Sequence, residues 1–274
     1  MLRPDQGVLV FDSGLGGLTV LREIARLRPD FRLIYAADDT AFPYGRWDDA
    51  ALAARVVEVV AGLIERLDPA LVVIACNTAS TLALPALRAR FSIPFVGTVP
   101  AIKPACERSL TKRVSVLATP GTVKRDYTQA LIREFAAGCE VTLVGSEKLA
   151  SLAEAVLHGG AVEDAAIAEE IAPAFVDGEA RTDTVVLACT HYPLILDRLV
   201  KTAPWPVAWV DPAAAIARRA SSLFVEKGKP SERPIEAFFT SGKRPSPALA
   251  RSLRLFDVTA APVEPARLAG LTRA

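Results

Sequence analysis

The sequence predicts an α/β protein built as two pseudo-symmetric three-layer domains with mostly parallel sheets, and three observations carry that expectation. Short β-branched apolar runs alternate with longer amphipathic stretches, the pattern of strands buried between helices. Two segments resemble each other, Leu71-VVIACNTAS and Thr184-VVLACTHYP, each running from a buried strand through Ala-Cys into a polar pair that contains threonine. Upstream of each stands a strand ending in a hydroxyl and glycine turn, VLVFDSGLGG from Val8 and VSVLATPGTV from Val114, so the likeness reads as an internal repeat. Length agrees, since 274 residues make about two domains at roughly 150 residues each.

Taken in order, strands are predicted at Val8 to Phe11, Leu33 to Tyr35 and Leu71 to Ala75, with a surface helix over Asp49 to Leu67. The proline-containing stretch Pro94 to Pro104 reads as the crossover between halves. The second half has strands at Val114 to Leu117, Val141 to Val144 and Val185 to Ala188, and helices over Val123 to Phe135 and Ala161 to Phe175. Then come a short strand within Trp205 to Val210, a helix over Pro212 to Val225, a polar linker from Glu226 to Pro234 and a strand at Ile235 to Phe239. This tail is too short for a third domain and is expected to return to the first half. The expected domains are therefore 1–98 plus 210–274, and 99–209. Residues beyond Val258, rich in Ala and Pro, are expected to be loosely ordered.

Composition excludes several classes of function. The chain is 51% hydrophobic and 23% charged with a net charge of +1, which rules out general disorder. No run of five or six like charges offers a footprint for nucleic acid or an anionic membrane. The longest continuous apolar run, Ala70 to Cys76, falls far short of the roughly 18 residues of a membrane span. MLRPDQG leads into the first strand without the apolar core of a signal peptide, so a cytoplasmic location is expected. Four cysteines in such a chain imply reduced thiols. With two histidines, no Cys-x-x-Cys and no zinc-ligand spacing, no metal is expected. A dinucleotide fingerprint starting at Gly14 fails because Thr19 stands where its third glycine belongs, so no such cofactor is expected.

Ligands of open parallel sheets bind at the carboxyl ends of the strands, which gathers Asp12-Ser13, Cys76-Asn77-Thr78, Thr119 and Cys189-Thr190-His191 around one interdomain cleft. Taken singly, each cysteine reads as a small core hydrophobe. As a pair, each at a strand end leading into a helix N-terminus that would stabilise a thiolate, they read as chemistry. Two opposed thiols suit inversion at carbon, where one group removes a proton from one face and another delivers a proton to the opposite face. Cys106 and Cys139 lack such settings. The Ser13 turn is either an ordinary glycine turn or, with its backbone amides, a cradle for a carboxylate, with Asp12 holding an ammonium group or assisting a thiol. Pro43-Tyr44-Gly45 by itself reads as a surface turn. His191 is either a helix-start cap or a proton relay. His158 reads as a helix C-terminal residue complementing the dipole, with Glu154 four residues earlier as its partner.

Phe11-Asp12-Ser13-Gly14-x-Gly16-Gly17, Pro43-Tyr44-Gly45, Cys76-Asn77-Thr78-Ala79-Ser80, Ala118-Thr119-Pro120-Gly121-Thr122 and Cys189-Thr190-His191-Tyr192-Pro193 together resemble the glutamate racemases, in order and in spacing, from about Val8 to at least Asp211. The resemblance implies a cofactor-independent isomerase that interconverts L- and D-glutamate and supplies D-glutamate for peptidoglycan. It implies that Cys76 takes the α-proton of D-glutamate and Cys189 that of L-glutamate, with Asp12 and His191 tuning the thiols. Ser13, Tyr44, Gly45, Asn77, Thr78 and Thr190 would join Asp12 and His191 in binding the amino acid, with Asp38, Thr122 and Glu154 as auxiliary residues. Two positions depart from the pattern, Ala41 where an arginine is frequent and Asp39 where a small polar residue is common.

Three other readings are weighed. An aspartate or other amino-acid racemase of the same superfamily shares the paired cysteines. A Cys189–His191 hydrolase would leave Cys76 idle, and residues two apart on one turn are not expected to aim at each other. A binding protein without turnover would be typical of exported receptors, which the N-terminus does not favour. The sequence leaves the oligomeric state open, a homodimer included.

Overall fold

The computed structural model describes residues 6–225 and 227–260. Every side chain of β1 (Val8–Asp12) is buried, and β2 (Leu33–Ala37) and β3 (Leu71–Ile74) flank it in parallel register. Adding β4 (Phe95–Gly97), β9 (Ile235–Phe239) and β10 (Val258–Ala260) gives a six-stranded sheet of order β10-β9-β2-β1-β3-β4. A second sheet has order β6-β5-β7-β8, from β5 (Arg113–Ala118), β6 (Glu140–Gly145), β7 (Thr184–Ala188) and β8 (Ala208–Val210). Among the described residues the strand pairings of both sheets are parallel. The run β2-β1-β3-β4 has the same order as β6-β5-β7-β8, the arrangement a repeat would produce.

Alternation along the strands builds two apolar layers on each sheet. Val8 and Val10 pack with α1 (Leu18–Leu27) and α10 (Ala213–Ser221), whereas Leu9 and Phe11 pack with α2 (Asp49–Leu67) and α3 (Asn77–Arg90). On the second sheet, Val185 and Leu187 face α7 (Leu149–Leu157) and α8 (Asp164–Ile171), while Val114, Val116 and Val186 face α4 (Ile102–Arg108). Helix α2 starts where Asp48 accepts hydrogen bonds from the amides of Ala50 and Ala51. Among the described residues no helix is long and apolar enough to cross a membrane.

Several expectations on elements are corrected. Pro94 to Pro104 is not only a crossover, because Phe95 and Val96 bury beside β3 as strand β4. The helix expected over Val123 to Phe135 is broken into α5 (Pro120–Val123) and α6 (Asp126–Phe135), with Arg125 extended between them. The helix expected from Ala161 starts at Asp164 and yields at Ala172 to a tighter turn, where Pro173 lacks the N–H to continue the ladder. The helix expected to reach Val225 ends at Ser221, and the strand in Trp205 to Val210 narrows to three residues behind Pro206. Thr259 and Ala260, expected to be loose, instead join Val258 in an edge strand beside β9; residues 261–274 lie outside the described residues.

Candidate active site

In each sheet the strand order reverses beside the first strand, between β1 and β3 and between β5 and β7, and the crevices at their carboxyl ends are where open sheets bind ligands. Asp12 ends β1, Cys76 follows β3, Thr119 follows β5 and Cys189 follows β7. The two crevices face each other. One cavity of about 20 Å³ is lined from one side by Ser13, Tyr44, Gly45, Cys76, Asn77 and Thr78 and from the other by Thr119, Cys189, Thr190 and His191. That volume admits about one water molecule and no amino acid, so a ligand of glutamate's size requires the walls to separate. The lobes are held together by the Thr78 hydroxyl, 3.0 Å from that of Thr119 and 3.3 Å from that of Thr122. Arg125 adds hydrogen bonds to the Thr78 carbonyl and the Thr81 hydroxyl and an ion pair with Asp49.

The glycines of the first turn allow this approach. A Cβ on Gly16 would stand 2.5 Å from Nδ1 and 2.6 Å from the backbone nitrogen of His191, and one on Gly14 would stand 3.0 Å from the Glu154 carboxylate. Only bare backbone fits there. Asp12 folds back over the same turn and accepts from the Gly17 amide at 2.9 Å, with the Thr190 hydroxyl 3.4 Å from its other oxygen. Burial raises the Asp12 carboxyl above its ordinary range, against the opposing pull of His191.

The two thiols have unlike surroundings. Cys76 is buried 3.8 Å from the Ser13 hydroxyl, and burial with the Asp12 charge pushes its thiol well above the ordinary range. This corrects the expectation that a helix start holds a thiolate there: in the closed cavity desolvation outweighs the amides of α3. Next to it the Asn77 amide, 2% exposed, has neither its nitrogen nor its oxygen hydrogen-bonded. Cys189 lies 3.9 Å from Nδ1 of His191, whose Nε2 is 2.7 Å from Glu154. His191 therefore does aim at the thiol two residues before it, contrary to expectation, in a tight turn closed by the Tyr192 amide on the Cys189 carbonyl at 3.1 Å. Burial alone would lower the His191 value, but Cys189, Glu154 and Asp12 carry it well above the usual imidazole range. Glu154 is held down at about 2: burial opposes this, and the ion pair with His158 together with the hydrogen bonds to His191 and from the Leu15 amide outweighs it.

Asp38 and Thr122 are not on the cavity wall. Asp38 accepts from the Tyr44 hydroxyl at 2.6 Å and from Arg55 at 2.6 and 2.7 Å, so it fixes Tyr44 from behind and occupies that hydroxyl. Burial raises the Asp38 carboxyl, yet Arg55, Tyr44 and Thr240 prevail and hold it below its ordinary value. Asp39 is satisfied by the amide and hydroxyl of Ser241. Arg55 was missed in the sequence, although an arginine on the inward face of α2 beside Leu52, Val56 and Val59 is the signal that marks it. Phe42, its ring centroid 5.1 Å from that of His191, and Arg125 were missed as well. Cys106 and Cys139 lie with the α4 layer, apart from this cavity. No group of three or more His, Cys, Asp or Glu side chains suited to a metal occurs among the described residues.

Comparison with known proteins gives this geometry its context. The family described as Asp/Glu/Hydantoin racemase matches residues 15–220. A glutamate racemase of Mesorhizobium japonicum is 58% identical over 243 residues, 87% of this chain and 93% of that protein. One of Brucella ovis is 52% identical over 262 residues, 94% of each. The crystal structure of Escherichia coli glutamate racemase in complex with L-glutamate and the activator UDP-MurNAc-ala matches with a TM-score of 0.85 and 43% identity, covering 95% of this chain and all of that one. The chain thus belongs to the Asp/Glu racemase family and, within it, to the glutamate racemases, which are isomerases.

Proposed function

We propose that this chain interconverts L- and D-glutamate by a two-thiol mechanism without a bound cofactor or metal, acting in the cytoplasm to supply D-glutamate for peptidoglycan. The observation that carries the mechanism is one cavity with Cys76 on one wall and Cys189 on the other, contributed by the two halves of a repeat. With L-glutamate, the Cys189 thiolate removes the α-proton, and the Cys76 thiol delivers its own proton to the opposite face. The products are D-glutamate, a Cys189 thiol and a Cys76 thiolate. D-glutamate runs the same steps in reverse.

The carbanion needs its charge spread onto the α-carboxylate, where hydrogen-bond donors lower the barrier. Asn77, with a free amide, and Ser13 and Thr78 on the same wall are suited to that task. His191 offsets the charge that appears on Cys189, and Asp12, buried beneath the wall on the Gly17 amide, acts on Cys76 and His191 through its charge and is the candidate to receive the ammonium group once the walls separate. Tyr44, Gly45 and Thr190 complete the walls, with Asp38 and Thr122 supporting them. We assign the two lobes to 1–98 with 210–274, and to 99–209; residues 1–5, 226 and 261–274 lie outside the described residues.

The test is to incubate protein dialysed against chelator with L-glutamate in deuterated water and no added pyridoxal phosphate or metal. The expected result is a racemic end point with deuterium at Cα, and far slower turnover of L-aspartate. Activity that disappears on dialysis and returns with a metal or pyridoxal phosphate would contradict the cofactor-free reading; preference for aspartate would contradict the substrate.

A further inference from the structure

Behind Cys189 the polar groups continue past the cavity to the surface. Cys189 Sγ stands 3.9 Å from His191 Nδ1, His191 Nε2 is 2.7 Å from Oε2 of Glu154, and Oε1 of Glu154 is 3.8 Å from His158 Nε2. The side chain of His191 is 3% exposed, that of Glu154 13% and that of His158 47%, so the row starts in a closed cavity and ends in water. The carboxylate is shared. Its Oε2 serves His191 and the Leu15 amide, and its Oε1 faces His158.

We propose that His158 is a positioning residue that, through Glu154, sets the charge His191 presents to Cys189, and so governs the thiol of the L-glutamate face and not Cys76. The inference rests on the two-thiol reading above. When His158 is neutral, the His191 imidazolium and the Glu154 carboxylate cancel, and the sulfur faces a pair of no net charge. When His158 is protonated, the three groups together carry one positive charge, which favours negative charge on Cys189 and helps it take the α-proton. Cys76 has other surroundings: the Ser13 hydroxyl and the buried Asp12 carboxylate are its neighbours, and the polar row on its wall, Tyr44–Asp38–Arg55, holds no histidine.

The other charges around His158 support its protonation near neutral pH. Glu154 on its own helix raises its value, burial opposes this, and Asp39 from the loop after β2 adds to the rise. Helix α11 (Pro247–Arg254) packs over the end of α7 through Ala248 against Gly159 and through the Ser252 hydroxyl on the Leu157 carbonyl, neither of them charged. Asp12 acts on the inner end of the row through His191.

The test separates the thiols and holds pH constant within each comparison. In a Cys76→Ser background, which leaves Cys189 to act on L-glutamate, solvent deuterium uptake into L-glutamate is measured at pH 6 and pH 9 with His158 intact, with His158→Gln and with His158→Lys. At pH 6 the Gln variant is expected to lose about fivefold and the Lys variant to track the parent, the scale of one unit charge acting through a short row of polar groups. At pH 9, as His158 of the parent sheds its proton, the deficit of the Gln variant should shrink relative to pH 6 and the Lys variant, which keeps its charge, should overtake the parent by up to about fivefold. Uptake into D-glutamate in a Cys189→Ser background should respond to neither change. Equal losses on both faces, or a Gln variant that matches the parent at pH 6, would overturn the proposal. Failure of the unsubstituted protein to racemise glutamate is a separate readout and would overturn the underlying reading instead.

Discussion

Cys76 and Cys189 occupy matching places in the repeat, each just past the strand that pairs with the first strand of its half. Around Cys76 stand a serine hydroxyl, an amide without partners and the buried Asp12 carboxylate, while Cys189 faces an imidazole backed by a carboxylate and a second histidine. The scaffold is duplicated and the electrostatics are not. Under the proposed two-thiol mechanism, a substrate that differs only in handedness meets two unlike acid–base groups, and each half-reaction is open to separate adjustment.

The largest expected effect comes from removing either side of the comparison. Cys76→Ala and Cys189→Ala should each reduce racemisation by more than about 10³-fold, read as D-glutamate formed from L-glutamate; activity within tenfold of wild type for either would dissolve the pairing. Glu154→Gln comes next, since it deprives His191 of its counter-charge but leaves Cys76 untouched. We expect a loss of about 10²-fold in deuterium uptake from L-glutamate and a much smaller loss from D-glutamate. An equal loss on both faces would mean that the row behind Cys189 supports the whole cavity.

The same residue sharpens the comparison through acid stability. The folded-state value of Glu154 is about 2, below its ordinary 4.5, so its ion pairing stabilises the fold above pH 4.5 and that contribution is lost as pH falls toward 2. Denaturant titrations between these limits should show a shallower pH slope for Glu154→Gln than for wild type. The smallest effect is expected at the seam between lobes. Asp49, 60% exposed, pairs with Arg125, and Asp49→Ala should cost less than about 1 kcal/mol because Arg125 keeps its bonds to Thr78 and Thr81. A loss of several kcal/mol would show that this pair holds the cavity closed.

Much of this was legible in the sequence because strand burial and the paired Ala-Cys segments are local patterns. The strand at Ile235 to Phe239 and the helix at Asp49 to Leu67 have the predicted bounds. Short edge strands such as β4 were not legible, since three residues between prolines carry no periodicity. The gathering of Asp12, Cys76, Cys189 and His191 followed from strand ends. The partners of that gathering did not: Arg55 meets Asp38 and Glu154 meets His191 across long stretches of chain, and only packing decides such contacts. His158 illustrates the difference. Its pairing with Glu154 at helical spacing was readable, whereas the carboxylate's stronger contact to His191 was not.

The most direct measurement of the opposed-thiol account is the handedness of proton exchange in the two alanine variants. In deuterated water, Cys76→Ala should incorporate deuterium into L-glutamate faster than into D-glutamate, and Cys189→Ala should show the reverse preference, with neither variant inverting its substrate. If both variants prefer the same enantiomer, or either one racemises at near the wild-type rate, the thiols do not serve opposite faces of Cα and the account is wrong.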